Sequence, residues 1–247
     1  MTSCLCKASR GDAMKSLLAV VFVVALTQPH YAQVAEKPDV ALEKDWQEYV
    51  TLLRTEESTA SFFKKHAAER IKAWKEAAER REPHGQNLYA RCLVQGIGVA
   101  KNESQAVAIF ENVASKGDPV AMYNLGIFHA NKQDWKKSND WLRKSADKGE
   151  TAAMTRLSIT YCEGDGEPVD KVEAVKWAKA AAEKNDPMGM YMLGIAYSAG
   201  NGVAKDKNDG FAWLQRAAEK GQSSAMMVLG YEYEKGDGVP GHVRTVC

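Results

Sequence analysis

Two serine–lysine pairs in this chain have a spacing that could do chemistry. Ser61-Phe62-Phe63-Lys64 and Ser145-Ala146-Asp147-Lys148 both read S-x-x-K, which on a helix sets an amine one turn from a hydroxyl. In penicillin-recognising enzymes that spacing serves a nucleophilic serine. No K-T-G follows either pair here, and two chance matches are unremarkable in a lysine-rich helical chain. His66, His84, His129 and His242 show no H-E-x-x-H and no paired spacing, so they offer no metal site. Cys4, Cys6, Cys92, Cys162 and Cys247 show no C-x-x-C. No cofactor motif is present. Lys132, Lys136, Lys137, Arg143, Lys144 and Lys148 form a basic strip, but Asp134, Asp140 and Asp147 interleave with it, as on a solvated face. The formal net charge of the 247 residues is +1, so no global basic field points to nucleic acid.

The elements that position these residues announce themselves as an array. Gly96-Ile97-Gly98-Val99, Gly164-Asp165-Gly166-Glu167, Gly200-Asn201-Gly202-Val203 and Gly236-Asp237-Gly238-Val239 recur, the last three at a period of 36 residues. A fixed period in that range means one supersecondary unit repeated. The Gly-x-Gly segments have no preceding strand and no Lys-Ser/Thr, which argues against phosphate loops. Aligned on the second glycine, Ile109, Trp177 and Trp213 fall in register, and Asn102, Asp170 and Asp206 precede them by seven residues as natural N-caps. Lys116-Gly117, Lys148-Gly149, Lys184-Asn185 and Lys220-Gly221 then stop each second helix. Asp118-Pro119 and Asp186-Pro187 start the next first helix.

The first helices carry an apolar stripe at a spacing of four: Ala121, Leu125 and His129; Ala153, Leu157 and Tyr161; Gly189, Leu193 and Tyr197; Ala225, Leu229 and Tyr233. Directly after each leucine stands Gly126, Ser158, Gly194 or Gly230. Glycine there costs about 1 kcal/mol of helix propensity against alanine, so close approach of a neighbouring helix is expected. His129 reads as a packing residue in the place of the repeat tyrosine.

A-x-x-x-L-G-x-x-Y, then G-x-G-V, then W-x-x-x-A-A-E-x-G resembles the Sel-one-like repeat (SLR) family, a relative of the tetratricopeptide repeat. The likeness covers residues 83–239, about four and a half units, and Trp74-Lys75-Glu76-Ala77-Ala78-Glu79 mimics Trp213-Leu214-Gln215-Arg216-Ala217-Ala218-Glu219 of a second helix. It implies an all-α fold, a right-handed α-solenoid of stacked helix-turn-helix repeats. Unit 119–150 lacks the Gly-x-Gly turn, which implies a hairpin of the tetratricopeptide kind. Residues 33–82 are expected to hold capping helices, with Trp46, Tyr49, Val50 and Leu53 on one face of residues 40–54. Residues 240–247 read as a truncated tail.

In arrays of this type the first helices line the concave side. The resemblance therefore places Asn87, Tyr123, Thr155, Tyr191 and Met227 in the groove two residues before each leucine position. Arg91, Ile127, Ile159, Ile195 and Tyr231 stand two residues after it, and Met188 adds to the same wall. Of these, Asn87, Arg91, Tyr123, Met188, Tyr191, Met227 and Tyr231 are the expected partner-binding residues, Tyr, Met and Arg being types enriched in interface cores.

Lys7, Arg10 and Lys15, the apolar run Leu17 to Leu26, and His30-Tyr31-Ala32 read as an export signal over residues 1–32, with Met14 as an alternative start. The apolar run is shorter than the about 20 residues a membrane span needs. The expected function is a non-catalytic, exported scaffold that binds a protein or peptide in its groove. A peptidoglycan- or glycan-binding envelope factor and a hydrolase of the β-lactamase kind remain alternatives. Dimerisation through the open C-terminal face or through Cys247 is a further expectation.

Overall fold

The structure, a computed structural model, describes residues 39–53 and 59–235; the expected signal, Cys247 and the tail lie outside them. Every element among the described residues is helical. α1 (Val40–Leu53) and α2 (Thr59–Glu79) precede four helix pairs: α3 (Pro83–Gln95) with α4 (Glu103–Ser115), α5 (Pro119–Asn131) with α6 (Trp135–Asp147), α7 (Thr151–Glu163) with α8 (Lys171–Glu183), and α9 (Pro187–Ala199) with α10 (Lys207–Glu219). α11 (Ser223–Lys235) follows as the first helix of a further unit.

The ends of these helices are set by local chemistry. First-turn amides lack intrahelical acceptors, and a side-chain oxygen supplies one. Asn102 accepts from the Gln105 amide at 3.0 Å, Asp170 from Val172 and Glu173 at 3.0 Å, and Asp206 from Asn208 and Asp209. The first helices repeat the device, with Asp118 on the Ala121 amide at 2.7 Å and Asp186 on that of Gly189 at 2.8 Å. Gly96, Gly164 and Gly200 close α3, α7 and α9 in the left-handed conformation, at φ of 70°, 85° and 79°. In unit 119–150 only residues 132–134 separate α5 from α6, and Gln133 takes the left-handed position at φ 58°.

The pairs α5–α6 and α9–α10 are each locked by a small residue against a large one. A Cβ added to Gly126 would stand 2.8 Å from the Leu142 side chain, and one on Gly194 would stand 2.8 Å from that of Leu214. The glycine lets the two helices close on a leucine. Leu125, Leu157 and Leu193 from the first helices and Phe110, Leu142 and Leu214 from the second are all buried. Trp177 and Trp213, which mark the register in the sequence, are only half-buried. Cations cover them instead, Lys176 at 6.0 Å and Arg216 at 4.7 Å from the ring centres. The central position of the second helix is thus the residue after the tryptophan.

First helices of successive units approach one another, α3 with α5 and α7 with α9, while the second helices pack outside them. The fold is an all-α solenoid with the first helices forming its inner layer. α1 joins that inner layer. Its Trp46 stacks on His84 of α3 at 4.4 Å, and its Asp45 accepts from Trp74 Nε1 of α2 at 2.8 Å and pairs with Arg70 at 3.0 Å. Trp74 is fully buried beneath Phe62 and Phe63.

Candidate functional site

The inner-layer positions divide into a covered half and an open half. The covered half is made by Tyr49. This phenol, on the last turns of α1, is fully buried and donates to Asn124 Oδ1 at 2.7 Å. Asn124 Nδ2 donates to Asn87 Oδ1 at 3.4 Å, and Asn87 Nδ2 donates to Asp118 Oδ1 at 3.3 Å. A chain of polar contacts thus runs from α1 to the N-cap of α5. Burial pushes the Tyr49 phenol up to about 12, with Arg91 opposing the shift, and burial likewise raises Tyr123. Arg91 is half-buried and donates to Thr59 at 3.4 Å.

Of the groove residues expected from the sequence, Asn87 is therefore 0% exposed and held by internal hydrogen bonds. Arg91 and Tyr123 surround the same buried phenol. Thr155 is buried too, with its hydroxyl on the Ala152 carbonyl at 3.0 Å. The structure brings Asn87, Arg91 and Tyr123 together beside the chain's own α1. Tyr49 and Asn124 were missed as partners of this cluster. The only sign in the sequence is that Asn124 interrupts an apolar run.

The open half lies on α9 and α11. Met188 is half-buried, with its sulfur 3.9 Å from Gln222 Nε2. Tyr191 is half-buried against the cluster formed by Met190, Leu193 and Leu229. Met227 is 71% and Tyr231 53% exposed, on one face of α11 at a spacing of four. Met226 and Tyr233 are exposed on the same helix. Exposed apolar side chains that form a contiguous patch are a general feature of interaction sites.

The residues with chemical potential are placed as packing or surface groups. Ser145 is fully buried and donates to the Pro119 carbonyl at 2.7 Å, while Lys148 is exposed. Ser61 is exposed on α2. His66 and His84 pair with Glu48 and Glu43 of α1 at 3.2 and 3.1 Å. His129 is held below the usual imidazole range by burial, with Asp134 opposing. No group of three or more His, Cys, Asp or Glu able to hold a metal occurs among the described residues. The basic strip is largely paired or stacked. Lys132 meets Glu103 at 2.7 Å, Lys137 meets Asp134 at 2.9 Å, and Lys144 lies 4.3 Å over Trp141. No helix among the described residues is long and apolar enough to cross a membrane.

The Sel1 repeat model matches residues 83–118, 119–150, 151–186, 187–222 and 223–241, unit by unit. The chain belongs to the Sel1 repeat family. Among solved structures, this Sel1 repeat chain is similar to a protective antigen present in uropathogenic Escherichia coli strains that displays an SLR fold. The two are 35% identical, with a TM-score of 0.62, over 68% of this chain and 37% of that one. It is also similar to a Sel1 repeat protein from Oxalobacter formigenes, at 26% identity and TM-score 0.64, over 91% of this chain and 87% of that one. An immunity protein from Pseudomonas aeruginosa, 20% identical with a TM-score of 0.52 over 77% of this chain and 70% of that one, shares the fold. The chain thus spans little over a third of the antigen's length. A search of curated proteins finds no match.

Proposed function

We propose that this Sel1 repeat chain is an exported, non-catalytic scaffold that binds a protein or peptide partner on the inner layer of its last described units. The observation that carries this reading is the contrast along one row of equivalent positions. Asn87 is sealed under α1, whereas Met227 is open to solvent. Methionine and tyrosine are among the residue types enriched in interface cores. The export half rests on the basic start, the apolar run and the cleavage point within residues 1–32.

The test is affinity capture with the wild-type chain and with a Tyr191→Ala/Met227→Ala/Tyr231→Ala variant of unchanged helicity. One partner enriched by the wild type and lost by the variant supports the reading. A partner retained by the variant moves the surface elsewhere. Mass analysis of the protein from its native host reads the export half, which fails if residue 1 or 14 is intact at the N-terminus.

A further inference from the structure

The small-against-large lock that closes α5–α6 and α9–α10 is missing from α7–α8. The second-helix position after the tryptophan register is Phe110 in α4, Leu142 in α6 and Leu214 in α10, all buried. In α8 it is Ala178. The first-helix residue that faces it is Ser158, small like its counterparts Gly126 and Gly194. Small therefore meets small in unit 151–186, and no side chain of the pair fills the space. The result is a cavity of about 340 Å³ bounded by α7, α8 and α9.

Its lining is apolar, with Val175, Ala178, Met192 and Ile195 among the walls, and Lys171 and Asn201 stand with it. Ser158 makes no polar demand there, since its hydroxyl already donates to the Ala174 carbonyl at 2.8 Å. Lys171 is the one charged residue of the lining, which contains no carboxylate, and its ammonium contacts Asn201 Oδ1 at 3.5 Å. Cys162 also lines the cavity and is exposed, so the space communicates with solvent. Pockets that hold small ligands run from about 300 Å³ upward and combine apolar walls with a few polar groups.

We infer that this cavity is a binding site for a small amphiphile with an aliphatic body and an anionic head. The body takes the room that Phe110, Leu142 and Leu214 occupy in the other pairs, and the head meets the Lys171 ammonium. The site is separate from the exposed face of α11; it shares Tyr191 with the proposed partner surface, but neither filling variant nor Lys171→Gln touches that residue, so the two readings fail separately.

The experiment titrates decanoate, below its micellar concentration, and its uncharged analogue decanol into the whole chain by calorimetry. Two filling variants borrow the residue that the next unit carries: Ala178→Leu, after Leu214, and Val175→Phe, after Phe211. Saturable 1:1 binding of decanoate is expected for the wild type, weakened about tenfold or more by either filling variant. Lys171→Gln weakens decanoate about threefold and leaves decanol unchanged. Bound decanoate also slows alkylation of Cys162. Absence of saturable binding to the wild type overturns the inference, as does undiminished binding to a filling variant whose helicity is intact. Should Ala178→Leu fail to fold, Val175→Phe decides, because Val175 is only half-buried. A Lys171→Gln variant that treats both probes like the wild type overturns the assignment of the head.

Discussion

At the scale of the residue, Gly194 and Gly230 are the same position of the repeat in opposite surroundings. A Cβ on Gly194 would stand 2.8 Å from Leu214 and 3.0 Å from the Gly210 carbonyl, whereas one on Gly230 would have nothing within 4 Å among the described residues. Gly194→Ala is expected to destabilise the fold by about 1–3 kcal/mol through overpacking. Gly230→Ala is expected to stabilise it by about 0.5–1 kcal/mol through helix propensity. Urea melts of the two variants should shift in opposite directions. The two described cysteines make a second contrast. Burial pushes the Cys92 thiol up to about 12, while Cys162 is exposed with a smaller rise from burial and Glu163. Peptide mapping after brief alkylation should find Cys162 modified and Cys92 untouched until the chain is unfolded. Tyr49 brings a pH dependence. Its folded-state pKa, about 12, lies above the unfolded value of about 10. Its contribution is therefore complete below about pH 10 and is lost as pH rises toward 12. The urea midpoint should fall across that window, and fall less in Tyr49→Phe, which lacks the ionising group.

At the scale of the element, α1 is the helix whose role the sequence least discloses. Its apolar face, with Trp46, Tyr49, Val50 and Leu53, predicts a helix that covers something. What it covers depends on Asn124, 75 residues away, and no local pattern records that distance. The caps are the opposite case. Asp170 and Asp206 meet amides two and three residues on, so their partners are written beside them. The half-empty pair α7–α8 lies between these extremes. Alignment on Trp177 and Trp213 finds the register but draws the eye one residue short of Ala178, where the difference among units resides. That difference has meaning only once Phe110, Leu142 and Leu214 are known to be buried. The polar tether of α1 makes a prediction of its own. Asp45→Ala leaves the Trp74 indole N–H without its acceptor and should cost about 1–3 kcal/mol in an equilibrium melt.

At the scale of the whole molecule, stability is distributed as in a one-dimensional stack, where each unit is held by its neighbours. α5 and α7 have helices on both sides, while α11 packs against α10. Native-state hydrogen exchange should therefore show the weakest protection among first helices in α11, with α5 and α7 opening near the global limit. The fold class was legible because a period of 36 residues repeats the same solution. The division of the inner layer was not, since it comes from α1, which stands outside the period.

The bond from Tyr49 to Asn124 also dates the moment at which α1 can finish folding. On a ribosome α1 emerges before the other described helices, yet the acceptor of Tyr49 is synthesised 75 residues later, at a few to about 20 residues per second. For those seconds Trp46 and Tyr49 have no finished seat, although α2 and α3 have begun to supply one. The first of the described helices to be synthesised is thus among the last to complete its contacts. A chaperone that reads exposed aromatic helices would find its window there, before α5 leaves the exit tunnel.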